Sequence, residues 1–213
     1  MGIDSTKAAS QAQAMYRFLN NESVKPSTLV EPLQQAAREA CGKSESPFVL
    51  IMHDWCKIDF KNHKSKKDLL QVTHKHDIGY DLTASIAVEA VGGIVLAPVS
   101  MHLRTKNRLL STGTNPPKRS AHHLNQILPT MDEIAQLDLG RRPVHIIDRE
   151  ADSLGHFRDW APQQHLYLVR CDDRRIEHQG ESVLLSEINE KLDQDVLFQS
   201  AGRALYHGKK VKR

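Results

Sequence analysis

Cysteine is scarce in this chain, and Cys41, Cys56 and Cys171 stand apart with no CxxC pair. That excludes a disulfide scaffold and a cysteine-rich zinc module, and it suits a reducing compartment. Long apolar runs are missing too. The most hydrophobic window, LTASIAVEAVGGIVLAPVS (82–100), is broken by Glu89 and Gly92-Gly93. It reads as two strands and a turn, not a membrane span. No basic–apolar–small leader opens the sequence, and no repeat or low-complexity tract interrupts it. These absences give the expectation of a cytoplasmic chain. Neither sign of charge dominates, with 29 Lys+Arg against 26 Asp+Glu and a net charge of +3. A nucleic-acid partner is permitted but not demanded.

What is present suffices for a packed core: 213 residues, 39% hydrophobic and 26% charged. Residues 5–40 have helical composition. Thr28 and Glu31 are spaced as a capping box, Leu29, Leu33, Ala36, Ala37 and Ala40 fall on one face, and Gly42 offers a stop. PFVLIMHDWC (47–56) reads as a strand covered on both faces. GYDLTASIAVEA (79–90) and GIVLAPVSMHLR (93–104) read as a hairpin about Gly92-Gly93. AHHLNQILPTMDEIAQLDLG carries a helical face that Pro129 kinks or splits, and His122-His123 starts it. RRPVHIID (141–148) and HLYLVRCDD (165–173) are further strands around a short helix with Ser153 at its N-cap, and ESVLLSEINEKL is a final helix. The order predicts a mixed sheet flanked by helices.

Two strands in this reading run into an acid, Asp54 and Asp148, where open α/β sheets place their sites. Neighbouring carboxylates repel unless a cation sits between them, and Mg²⁺ or Mn²⁺ suits an all-oxygen donor pair. Asp148 opens the dense polar run DREAD, with Arg149, Glu150 and Asp152. Five lysines crowd KIDFKNHKSKKD (57–68), Lys64 among them, as a solvated loop or an arm along a phosphate backbone. His74, His76 and Asp77 have ligand types at short spacing but no second pair to complete a zinc finger. His53, beside Asp54, reads as a strand-end residue, and Trp55 and Trp160 as packing.

IIDREAD after a strand, LIMHD far upstream, AMYRFLNNESV before it and HLYLVRCDDRR after it together resemble the bacterial DDE transposases of the insertion-sequence-four family, of the transposon-five type. The resemblance spans roughly residues 14 to 190. It implies an N-terminal helical segment over 1–46, a ribonuclease-H-like catalytic core over 47–172, and the start of an insertion subdomain over 173–213. It makes Asp54 and Asp148 catalytic metal ligands for Mg²⁺ or Mn²⁺. Arg149 and Glu150 gain supporting roles, and Arg149, Arg170, Arg174 and Lys64 become contacts to DNA, the expected partner. The implied activity is transposition by strand cleavage and 3′-hydroxyl strand transfer. The chain departs from the family's pattern: no Tyr-x-x-Arg-x-x-x-Glu carries a third acid, and counterparts of the family's N-terminal DNA-recognition helices and C-terminal dimerisation region are mostly not recognised in the sequence. The expectation is therefore a catalytically incomplete core. The alternatives are a compact metal-dependent nuclease that recruits Glu187 or Glu190 from LLSEINEKL, and a non-catalytic DNA-binding remnant.

Overall fold

The structure, a computed structural model, describes residues 8–72, 74–114, 118, 122–178, 180–188, 203–206 and 209–212. The chain divides into two compact units, Met1–Arg170 and Cys171–Arg213. The first unit runs α1 (Ala8–Leu19), α2 (Pro26–Lys43), β1 (Phe48–Asp59), β2 (Leu70–Gln71), β3 (Ile78–Glu89), β4 (Val95–Arg104), β5 (Leu109–Ser111), a 3₁₀ turn (His123–Gln126), α3 (Ile127–Ala135), β6 (Arg142–Ile147), a second 3₁₀ turn (Arg149–Ala151), α4 (Leu154–Trp160) and β7 (Leu166–Val169). Its strands form one sheet in the order β5-β4-β3-β1-β6-β7, with β2 on β3. β1, β3, β4 and β5 pair antiparallel, whereas β6 runs parallel to β1 and β7 parallel to β6. The fold is α/β, a mixed sheet flanked by helices, as the alternation of patterns implied.

Several expected details shift for identifiable reasons. α2 begins at Pro26, ahead of the Thr28–Glu31 spacing, and Lys25 in extended conformation is its N-cap with no side-chain bond. Proline at the first position needs no N–H partner, so it starts the helix without the capping box. The buried stripe is Val30, Gln34, Ala37 and Cys41. Leu29 and Leu33 stay 52% and 44% exposed, because small side chains are what let the helix close on the sheet. Pro129 neither kinks nor splits α3. It is the third residue of that helix, where an amide N–H has no intrahelical acceptor. β1 runs on to Asp59, past the expected end at Cys56, because β3 supplies register partners out to Asp59↔Gly79. The Gly92-Gly93 turn is present: Gly93 takes φ +70°, and Glu89 Oε2 accepts from the Gly92 N–H at 2.6 Å.

Both hydrophobic clusters lie on one face of the sheet. One joins Ala37 and Cys41 of α2 to Val49, Ile51, Ala87, Val99 and Ile134. The other joins Ile127 and Met131 of α3 to Ile147, Ala151 and Trp160. Strand alternation puts Met52, Met101 and Leu168 on the opposite face, where they are exposed. The second unit contains the hairpin β8 (Arg175–His178) and β9 (Glu181–Leu184), turning at Gly180 with φ +84°, and the pair β10 (Arg203–Tyr206) and β11 (Lys209–Lys212). No helix among the described residues is long and apolar enough to cross a membrane.

Candidate metal centre

The register of the parallel strands places the two aspartates. The last β1–β6 pair is Met52↔Ile146, and Asp54 and Asp148 each follow it by two residues along their own strands. Ile147 pairs with Val169 of β7, so Arg170 comes next in line. Its backbone N–H donates to Ile147 O at 3.1 Å, and its Nη1 lies 3.8 Å from Asp148 Oδ1. Asp54 is not the end of its strand, as the sequence reading had it. It lies two residues past the last pairing with β6, at Met52↔Ile146, where β1 continues along β3 and the segment after β6 turns into the 3₁₀ turn at Arg149.

The donor set suits a hard cation. Both groups are carboxylates and both are exposed. Asp54 Oδ1 accepts from the Trp55 N–H at 2.9 Å, which leaves Oδ2 for a ligand. The Asp148–Arg170 pair is long and solvated, so it holds Asp148 weakly. Among the described residues, no third His, Cys, Asp or Glu closes a donor group with these two.

The other residues singled out from sequence divide between the units. Arg149 is exposed at the start of the 3₁₀ turn beside Asp148. Lys64 is exposed in the loop after β1, where Lys61 pairs with Asp59 at 3.3 Å and Lys66 lies over the Phe60 ring. Arg174 and Glu187 belong to the second unit. There the Arg174 carbonyl accepts from the Leu185 N–H, and the Glu187 carboxylate accepts from the Leu184 N–H at 3.1 Å. The second contact is half of a capping box, an interaction internal to that unit. Glu190 lies outside the described residues.

A second donor group, missed from sequence, faces the covered side of the sheet. His122, His123 and Glu150 bring one ligand atom each to within 4.8 Å of the others. His122 caps the 3₁₀ turn and accepts from the Leu124 N–H, so the expected helix-start role holds, and the fold adds Glu150 to it. Trp55 Nε1 donates to Glu150 Oε2 at 2.6 Å, and the indole stacks at a tilt on His123 with centroids 4.8 Å apart. Asp81 Oδ2 lies 3.2 Å from His123 Nδ1 and 2.6 Å from Arg104 Nη2. Burial acts to raise the Asp81 carboxyl, but the His123 and Arg104 hydrogen bonds outweigh it and hold the group below its ordinary value. Asp81 and Arg104 are cross-strand partners in the β3–β4 register, which neither residue's sequence position reveals. An inward-facing acid in the strand GYDLTAS was the only available signal.

Behind this group lies a polar layer. His53 Nε2 and His145 Nδ1 are 2.8 Å apart, and His53 Nδ1 meets Ser85 Oγ at 3.0 Å. His53 is thus a buried interior residue, since its side chain takes the covered face. His102 bonds Ser100 and Thr130 and lies 3.6 Å from Glu133. Burial holds the imidazoles neutral, at about 3 for His53, about 4 for His102 and about 2 for His145, and raises Glu133 to about 6. With the geometry in place, comparison with known proteins adds no identity: no protein-family profile matches the chain, and no curated protein matches it.

Proposed function

We propose that this chain is the metal-binding core of a DNA transposase of the insertion-sequence-four type, lacking the third acid needed for turnover. The observation that carries the reading is that Asp54 and Asp148 each follow the last parallel β1–β6 pair, Met52↔Ile146, by two residues, with Arg170 beside Asp148 at 3.8 Å. The strand order supports a ribonuclease-H-like core, with an antiparallel run β4-β3-β1 followed by parallel β6 and β7 reached through helices.

In this reading Asp54 and Asp148 hold the cation, and Arg170 contacts the scissile region's phosphate with its guanidinium fork. Bound Mg²⁺ or Mn²⁺ supplies polarisation of a phosphoryl oxygen and of an attacking water or hydroxyl. Arg149 beside Asp148 and Lys64 on the loop after β1 extend the basic surface, and Arg174 is a further candidate DNA contact within the second unit. Such backbone contacts bind DNA without sequence preference and weaken steeply with salt.

Calorimetric Mn²⁺ titration of the full chain and of Asp148→Ala, followed by plasmid nicking on the same samples, tests the reading. Expected are Mn²⁺ binding lost in Asp148→Ala, salt-sensitive DNA binding by both proteins, and no nicking by either. Equal Mn²⁺ binding by parent and variant would remove Asp148 from the site. Metal-dependent nicking abolished by Glu187→Gln would replace the reading with a self-sufficient nuclease.

A further inference from the structure

Mg²⁺-type chemistry accounts for oxygen donors only, and the imidazole-rich group on the covered side of the sheet needs a different explanation. We propose that His122, His123 and Glu150 form a separate site for a borderline divalent cation of the Zn²⁺ type.

The donor types select such a metal, since two imidazole nitrogens and one carboxylate suit Zn²⁺ and its neighbours better than Mg²⁺. His123 is nine-tenths buried, and its Nε2 makes no hydrogen bond although Glu150 Oε1 stands only 3.2 Å away. A buried nitrogen without a hydrogen bond therefore stands beside a carboxylate oxygen at the spacing of two ligands of one ion. A tetrahedral ion with bonds near 2.0–2.1 Å sets its ligands about 3.3 Å apart, which the His123–Glu150 gap already matches. His122 Nε2 is 4.0 Å from the same Glu150 oxygen, and the three ligand atoms lie within 4.8 Å of one another, so an inward shift of His122 closes the set.

The supporting contacts hold His123 and Glu150 in their ligand forms. Asp81, kept anionic by its bonds to Arg104 and His123, accepts from His123 in the tautomer that has its proton on Nδ1, which leaves the Nε2 lone pair for a ligand. This is the carboxylate–histidine–metal relay that fixes tautomer and ring orientation. Trp55 Nε1 occupies Glu150 Oε2 and turns Oε1 towards the histidines. His122 alone must adjust: its Nδ1 accepts a 3.3 Å bond from the Leu124 N–H, and ligation through Nε2 exchanges that long bond for the metal. The group opens on a cavity of about 550 Å³ lined also by Cys56 and Gln71, with room for a water as fourth ligand.

Co²⁺ titration of the full chain, read by its visible ligand-field bands, tests the site, with Zn²⁺ and then excess Mg²⁺ as competitors. One Co²⁺ per chain is expected in the intense tetrahedral bands, displaced by Zn²⁺ and not by Mg²⁺, whereas Co²⁺ at the aspartate pair would absorb only weakly and yield to Mg²⁺. His123→Ala and Glu150→Gln should each weaken it about tenfold or more, at least the scale seen when a supporting group is lost. Glu150 is about half exposed, so the isosteric Glu150→Gln keeps the fold even where His123→Ala does not. Asp148→Asn should leave Co²⁺ affinity within about twofold, which separates this site from the aspartate pair. Failure of the parent to bind Co²⁺, equal binding by Glu150→Gln, or loss in Asp148→Asn as large as in Glu150→Gln would each overturn the proposal.

Discussion

His145 is enclosed by other imidazoles: His53 of β1 at 2.8 Å and His165 before β7, whose ring centroid is 5.8 Å away and whose Nε2 meets Asp132 of α3 at 2.7 Å. Burial is the main reason its pKa falls to about 2, with the positive charge that His53 and His165 would carry adding to it. An unfolded histidine takes its proton near pH 6.5, whereas folded His145 does not until about 2. The unfolded state therefore binds more protons below pH 6.5, and stability is full above that pH and declines as pH falls. Each such histidine contributes a slope of about 1.4 kcal/mol per pH unit. Asn at 145 keeps a polar atom near the Nδ1 position without the titration. Urea unfolding of His145→Asn between pH 7.5 and 5.5 should show a shallower acid decline than the parent by about that amount. Parallel curves would mean that His145 is already charged in the folded chain.

At the scale of elements, β4 contains a bulge, and α2 repairs it. Ser85 pairs with Ser100 and Ile86 with Pro98, so Val99 has no partner across the ladder. Pro98 lacks an N–H, and proline in a sheet is tolerated where the ladder is already interrupted. The carbonyl of Val99 is taken by Gln34 Nε2 of α2 at 2.9 Å. Gln34 is buried, and this bond explains why a glutamine sits in the apolar stripe of the helix. Gln34→Leu keeps the volume but leaves the buried carbonyl without a donor, which should cost about 1–3 kcal/mol in urea unfolding. A change below about 0.5 kcal/mol would mean another group reaches Val99 O. The same pair shows what the sequence could and could not disclose. The existence of α2 was legible from composition, but its buried face was not. That face is decided by a carbonyl whose exposure depends on a bulge in a distant strand. β1, β3, β4, β6 and the turn at Gly92-Gly93 were legible because apolar runs and paired glycines act locally. The outer limit of β1 was not, since pairing with β3 sets it.

Across the whole molecule, Asp54 and Asp148 were legible because each follows an apolar run, and both lie two residues past the last parallel β1–β6 pair. The His122–His123–Glu150 group was not, because a helix start and a strand end acquire a common neighbour only in the folded sheet. One-sidedness also emerges only at this scale. The alternation along β1 and β7 reads simply as strand, yet both packed clusters fall on the face of Ile51 and Ile147, and Met52 and Leu168 lie on the other. Leu168 is 62% exposed and Ile51 fully buried, so the two should respond oppositely to substitution. Ile51→Ala removes methyls from close packing among Ala37, Val49 and Val99 and should cost about 2–5 kcal/mol. Leu168→Gln removes apolar surface that water already reaches, so unfolding should move by no more than about 0.5 kcal/mol. Binding of a hydrophobic dye should drop in Leu168→Gln, because contiguous exposed apolar surface is what such a dye reports. If Leu168→Gln proves as costly as Ile51→Ala, the second face is packed in solution and the sheet is two-sided. If it is neutral and dye binding falls, the face that also carries Asp54 is open to whatever the aspartate pair engages.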